Sequence, residues 1–245
     1  MKRKTHQFLK AIFIVFLFNS CQKDCFFATG QETSEERSVE DFYYIQLWDN
    51  IDLELTFDTI NKLQLVAGEN ILDNIETTTE NGVLRISNQN RCNWLRSYSK
   101  PIRVELRLKR IYELEVHGTG NIVCTNTLKA DSLMLNIWDA AGKIDLNIDT
   151  KKSTIRYHIG IAEVYYSGKT RLSYVSSNSF GLVDARNLKS EQTYISTIGS
   201  NNNYVWATEI LEATIGASGN IYYKENPRIL RTFIKGSGEV KQIEL

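Results

Sequence analysis

Apolar and polar residues alternate along most of this 245-residue chain. Ile45, Leu47, Ile51, Leu53, Leu55 and Phe57 interleave with polar neighbours, and Ile102, Val104, Leu106 and Leu108 enclose Arg103, Glu105 and Arg107. A period of two sends one set of side chains to a core and the other to water, so these stretches predict half-buried strands. Leu133-Met-Leu135-Asn-Ile137, Ile144-Asp-Leu146-Asn-Ile148, Ile155-Arg-Tyr157-His-Ile159 and Leu211-Glu-Ala213-Thr-Ile215 repeat the signature. Helix is confined to at most a turn or two around Ala67 to Ile75.

The second half also repeats on a longer scale. A turn followed by a β-branched residue recurs with marks at Ile122, Ile144, Val164, Val205, Ile221 and Val240, and the gap between Val164 and Val205 spans two units through a degenerate turn near Gly181. A period near 20 residues is a solenoid signal. Each coil would pair its backbone only with the coil before and the coil after, while glycine and asparagine at the corners supply the positive φ angles that β-branched residues resist. About six coils from residue 117 to 245 would stack into a rod roughly 30 Å long. Residues 39–116, which do not repeat, are expected to form an N-terminal β portion that caps one end or leads into the stack, the whole of 39–245 being one continuous domain.

The N-terminus breaks the alternation. Lys2, Arg3, Lys4 and Lys10 precede the apolar run Ala11 to Phe18, which is far shorter than the roughly 20 residues a membrane-spanning helix needs. This is the layout of a secretory signal peptide over residues 1–20. Phe18-Asn19-Ser20-Cys21 resembles a bacterial lipobox, which makes Cys21 the expected site of acylation and the new N-terminus. Residues 21–38 are polar and aperiodic, and are expected to be a flexible tether with the fold starting near Val39. Gln22-Lys23-Asp24 fits either a solvated tether or a sorting signal to the outer face of the envelope. The expected location is the outer membrane, on its periplasmic or its surface face.

Charge narrows the partners. The leader holds four of the 29 basic residues and none of the 29 acidic ones, so the remainder carries a formal net charge of −4. Nucleic acid, which is held by basic surfaces, is not an expected partner.

Leu84-Arg-Ile86, Val104-Glu-Leu106, Leu114-Glu-Val116-His-Gly-Thr-Gly-Asn-Ile122 and Gly216-Ala-Ser-Gly-Asn-Ile-Tyr-Tyr-Lys224 with Pro227 together carry a family resemblance. The chain resembles the auto-transporter adhesin head domain family, or GIN domain, of Gram-negative envelope lipoproteins, over roughly residues 42–238. The resemblance implies an all-β fold, a right-handed parallel β-helix with an N-terminal β portion, and a role in surface adhesion or ligand binding. It brings no catalytic residues. Ala162 and Asn201 depart from its Gly-Ser-Gly corners, and Glu225 replaces its glycine before Pro227.

Candidate chemistry is sparse. Gly118-Thr-Gly120 and Gly236-Ser-Gly238 lack the third glycine and following helix of a phosphate cradle and read as corners. His117 and His158 stand on different coils without metal-ligand spacing around them, so no metal or cofactor is expected. Polysaccharide-cleaving β-helices line carboxylates along one face, but Asp139, Asp145, Asp149, Glu163 and Asp184 read as solvent-facing charges, with no paired-carboxylate or Ser-His-Asp arrangement legible. Cys92 and Cys124 either form a disulfide or remain buried thiols.

Aromatics are the stronger lead. Trp138, Tyr165, Tyr166, Tyr174, Tyr194, Tyr204, Trp206, Tyr222 and Tyr223 would stack into stripes at matching coil positions. Adjacent tyrosines must point to opposite faces, so one each of Tyr165/Tyr166 and Tyr222/Tyr223 is exposed or at a corner. Inside the coil such a stripe is core packing, and outside it could hold sugar rings or a protein partner. On the second reading Trp206, Tyr222, Tyr223 and Trp94, the last in an irregular loop from Ser87 to Lys100 that otherwise reads as a hairpin connection, are the candidate ligand contacts. The chain therefore reads as a non-catalytic, lipid-anchored envelope protein that binds glycans or envelope proteins. A structural or regulatory scaffold is the alternative, and a polysaccharide-active enzyme the third reading.

Overall fold

The computed structural model describes residues 29–91 and 101–243. Among the described residues seventeen strands join in one hydrogen-bonded sheet wound into a parallel β-solenoid, and the one helical element there is a 3-10 turn at Leu72–Asn74. In the N-terminal part these are β1 (Glu32–Arg37), β2 (Tyr44–Asp49), β3 (Ile51–Phe57), β4 (Lys62–Gly68), β5 (Ile75–Glu80), β6 (Val83–Asn88), β7 (Ile102–Leu108), β8 (Glu113–Gly118) and β9 (Ile122–Cys124). There follow β10 (Leu128–Trp138), β11 (Lys143–Tyr157), β12 (Glu163–Ser177), β13 (Val183–Thr197), β14 (Asn203–Ile215), β15 (Ile221–Lys224), β16 (Ile229–Ile234) and β17 (Val240–Gln242).

The coils present two faces. Face A runs through β6, β2, β8, the C-terminal halves of β10 to β14, and β16. Face B runs through β7, β3, β9, the N-terminal halves of β11 to β14, β15 and β17. A tight first corner links face A to face B from the β2–β3 coil onward, and the long strands bend once at a second corner to return. At the first corner the backbone of each coil sits on that of the last, as in Thr119 N–H to Asp49 O (2.9 Å), Ala141 N–H to Gly118 O (2.8 Å) and Ile161 N–H to Ala140 O (2.8 Å).

In-register ladders fill the interior. One runs Ile122, Ile144, Val164, Val183, Asn203, Ile221 and Val240, each in register with the next. The unit hidden between Val164 and Val205 is therefore marked by Val183, and the slot expected at Val205 belongs to buried Asn203. At the second corner the ladder is Thr150, Thr170 and Ser190, buried hydroxyls in a bend, and Thr150 Oγ1 donates to Thr170 Oγ1 at 2.9 Å. Hydrogen bonding removes the cost of burying them.

The N-terminal portion both joins and seals this stack. The β2–β3 coil lies between the β6–β7 coil and the β8–β9 coil, so coils stack out of chain order. Beyond the β6–β7 rung, antiparallel strands take the free edges: β5 pairs β6, and β4 pairs β7. β1 then pairs β4. The expected tether is thus corrected at its C-terminal half, where residues 32–37 are a strand. Their side chains are almost all exposed, so no alternation marks them, and they are held by backbone pairing to β4 together with Arg37 donating to Leu72 O (3.0 Å) and Glu36 pairing with Lys62 (2.7 Å). Ile159, taken from its alternation as an inward residue, is also corrected, because the chain has already turned the first corner and exposes it. Cys21 and Trp94 lie outside the described residues, as does Cys92, the other half of the pairing weighed for Cys124. Cys124 itself is a free cysteine whose thiol burial pushes to a higher pKa.

Candidate functional site

Parallel in-register stacking converts residues about one coil apart in sequence into columns on the outer surface. On face A the column is Met134, Thr154, Tyr174, Tyr194, Glu212 and Arg231. The Tyr174 and Tyr194 rings stack with centroids 5.3 Å apart and planes 21° from parallel. Lys152 Nζ lies 5.3 Å from the Tyr174 ring centroid. Arg156, Ser176, Ser196 and Thr214 belong to the neighbouring outward column, and the two columns together line an open groove of about 450 Å³. A flat aromatic platform flanked by hydroxyls, a guanidinium and a carboxylate offers stacking and directional polar contacts side by side.

Face B carries a second column: Asp145, Tyr165, Asp184, Tyr204, Tyr222 and Lys241. Tyr204 and Tyr222 stack at 5.1 Å. Here the cations are already engaged. Arg186 pairs with Asp184 at 2.8 Å, which raises its pKa, and its guanidinium lies 3.9 Å from the Tyr204 ring centroid. Lys143 pairs with Asp145 at 2.8 Å, Lys224 lies 4.3 Å from the Trp206 ring centroid, and Trp206 Nε1–H donates to Glu225 at 3.1 Å. Glu225 takes φ +60°, the left-handed conformation that a glycine at this position would adopt without strain.

A third column lines the rim of the first corner. Trp48, His117, Trp138 and His158 come one from each of four successive coils, with Trp48 stacked on His117 (3.7 Å, 1°) and Trp138 on His158 (3.6 Å, 5°). His117 Nε2 lies 2.9 Å from Glu115 Oε1 and His158 Nε2 2.9 Å from Asn136 Oδ1. Burial, and secondarily Arg156, lowers the His158 pKa, so its imidazole is neutral at pH 7. Among the described residues, no three His, Cys, Asp or Glu side chains gather as metal ligands.

Of the expected contacts, Trp206 and Tyr222 face outward on face B, in adjacent positions rather than in the groove. Tyr223 points inward and packs against the end of the core. The tyrosine pair at 165 and 166 divides as alternation requires, with Tyr166 fully interior. The Trp48/His117 half of the corner column escaped sequence reading, although both residues directly precede a corner, at Asp49-Asn50 and at Gly118. Of the weighed carboxylates, Asp145, Asp149 and Asp184 each hold a cation, and Glu163 accepts the Tyr165 hydroxyl at 2.9 Å.

Solenoid winding with aromatic and polar columns outside defines the class of all-β solenoids. The chain belongs to the family described as "Putative auto-transporter adhesin, head GIN domain", whose profile matches residues 41–227. A "putative adhesin" of Bacteroides fragilis has a similar fold, with a TM-score of 0.80 at 21% identity over 87% of this chain and 97% of its own. A "putative lipid binding protein" of Parabacteroides distasonis follows, with a TM-score of 0.67 at 20% identity over 89% and 98%. A "putative adhesin" of Parabacteroides merdae gives 0.62 at 15% over 89% and 98%. At these identities the likeness is one of fold alone. No protein of curated function matches the sequence.

Proposed function

We propose that this chain is a non-catalytic, lipid-anchored binding module of the cell envelope, with the face A groove as its ligand site for an extended glycan. The observation that carries this is the stacked Tyr174/Tyr194 platform set in register beside Arg156, Ser176, Ser196 and Thr214. Sugar rings present apolar faces that lie on such rings and hydroxyls that bond to the flanking side chains. Face B is less suited, since the guanidinium beside its tyrosines, Arg186, is held by Asp184 and lies over the Tyr204 ring, whereas Arg156 in the groove forms no ion pair with a carboxylate among the described residues and faces the hydroxyl column. The pairing of Asp145, Asp149 and Asp184 with cations supports the non-catalytic reading, because a general acid or base needs an unengaged carboxyl group beside its substrate.

Binding of the acylated chain to a glycan array tests the groove. Tyr194→Ala is expected to weaken any positive signal about tenfold or more, as loss of a central aromatic contact does. Trp206→Ala on face B leaves it unchanged. Absence of binding to any glycan, or equal binding by Tyr194→Ala, would remove the groove as the site and favour the scaffold reading.

The anchor rests on the lipobox resemblance at Cys21. Labelled palmitate is expected to enter the chain in a Gram-negative host and to be lost completely in Cys21→Ala. Undiminished label in that variant would place acylation elsewhere.

A further inference from the structure

The first corner differs in chemistry from the rest of the surface. On three successive coils, residues 158–162, 178–182 and 198–202 contain no Asp, Glu, Lys or Arg. Their large apolar side chains point into solvent: Ile159 is 51% exposed, Ile161 67%, Phe180 67% and Ile198 59%. The three corners stack directly, as Ser179 Oγ–H to Gly160 O (2.6 Å) and Asn201 Nδ2–H to Phe180 O (3.0 Å) show, so the four exposed side chains line one ridge across successive coils. At its N-terminal end the ridge meets Trp138, stacked on His158.

The second corner is the opposite in character. There Asp149, Lys151, Lys169, Arg171, Lys189 and Glu191 crowd the same coils, with Lys169 paired to Asp149 at 3.3 Å. Along these three coils one edge of the solenoid is charged and hydrated, whereas the other carries no Asp, Glu, Lys or Arg and exposes apolar side chains. An exposed contiguous apolar patch marks an interaction site.

We infer that the ridge of Ile159, Ile161, Phe180 and Ile198 dips into a lipid surface and holds the solenoid edge-on to the membrane. The feature is a convex line of loop tips, which can enter the headgroup region but offers a ligand no pocket. Aliphatic and Phe side chains at the tip with Trp at the rim is the distribution that a membrane interface favours.

The path of the chain supports the same orientation, in an argument that rests on the Cys21 anchor proposed above. Thr29 O accepts the Asn70 N–H (3.2 Å), and the adjoining Ile71 O accepts Asn90 Nδ2–H (2.9 Å). Asn90 N–H in turn donates to Asn88 Oδ1 (3.0 Å), and Asn88 N–H to Asp49 Oδ2 (2.9 Å) at the first corner itself. The fold therefore receives its N-terminal segment on the first-corner edge, the same edge that carries the ridge further along the stack. The eight residues 21–28 reach at most about 28 Å, and five coils at about 4.8 Å place Ile198 roughly 24 Å from the Asp49 corner. An acyl chain on Cys21 and the ridge can thus enter one lipid surface together.

The test places the photocrosslinker p-benzoylphenylalanine at Ile161 or Phe180 of the full chain, with Lys169 as the opposite-edge control, and illuminates intact envelopes. Mass spectrometry is expected to find lipid adducts at 161 and 180 and to lose them at 169, with the unfolding temperature unchanged because all three side chains are exposed. Adducts with another protein or with a second copy at 161 and 180 overturn the assignment, and so does the absence of any lipid adduct. Palmitate labelling of the same samples separates the two readings. Label without ridge adducts defeats the ridge alone, and ridge adducts without label defeat the anchor alone.

Discussion

Gly118→Val is expected to destabilise the fold by about 3–5 kcal/mol, lowering the thermal midpoint by on the order of 10 °C for a chain of this size. Gly118 ends β8 with φ +135°, a conformation that a β-branched residue resists. A Cβ at this position would overlap the backbone carbonyl of Asp49, one coil away, and a backbone atom cannot swing aside as a flexible side chain can. The clash falls where Thr119 N–H donates to that same carbonyl at 2.9 Å, so relief would cost the hydrogen bond joining two coils. Gly216→Ala is the control, since it occupies the same corner further along the stack, its φ is not left-handed and its nearest neighbour is a side-chain methyl of Ile198. A Cβ there would come within 2.9 Å of that methyl, but Ile198 is exposed and can give way, so the cost should stay at about 1 kcal/mol or less, well below that of Gly118→Val. Thermal unfolding followed by circular dichroism reads both, and a Gly118→Val protein as stable as its parent would contradict the coil stacking at this corner.

These corners also explain what was legible beforehand. Strand alternation and a recurring Gly or Asn turn are local signals, so the parallel coils and the inward ladder from Ile122 to Val240 could be read from residue types alone. Where a ladder slot holds a polar residue the signal slips, and buried Asn203 moved one mark to Val205. Alternation likewise has no means of announcing its own end. Ile159 continues the pattern of Ile155 and Tyr157 by type but lies beyond the turn, and with it the apolar ridge was hidden inside an apparent core strand. β1 shows the converse, because ETSEER has no apolar face and becomes a strand only where β4 offers a free edge. The out-of-order stacking of β6–β7 outside β2–β3 is a long-range choice that no window of sequence contains.

The surface columns depend on the same distinction. Tyr174 and Tyr194 are twenty residues apart and become a platform only when their coils lie in register, whereas Tyr222 and Tyr223, adjacent and conspicuous, are split between the surface and the core. Density of aromatics marks the region in which rings stack, and register decides which of them share a surface. Had residue 183 been used as the missing mark, a spacing near 20 would have aligned Tyr174 with Tyr194 and Tyr204 with Tyr222.

Two interior tyrosines should respond to the same substitution with opposite signs. The Tyr157 hydroxyl donates to Ala162 O at 2.9 Å across the first corner, whereas the Tyr166 hydroxyl is buried without a hydrogen-bond partner. Tyr157→Phe is therefore expected to cost about 1 kcal/mol, and Tyr166→Phe to gain about 1–3 kcal/mol by removing a desolvated, unbonded group. Alkali supplies an independent reading. Burial pushes the Tyr157 pKa from 10.0 up to about 12 and raises that of Tyr166 further, so in the folded chain both phenols keep their protons where the unfolded chain releases them. Above pH 10 the unfolded state binds fewer protons than the folded state, and stability falls as pH rises toward about 12. The double variant Tyr157→Phe/Tyr166→Phe should lose less of its midpoint than the parent between about pH 9 and about pH 11, because two of the phenols that drive the loss are gone. Equal destabilisation by the two single variants would mean that the Tyr166 hydroxyl is bonded after all, and that the solenoid interior is less dry than its ladders of Leu, Ile and Val imply.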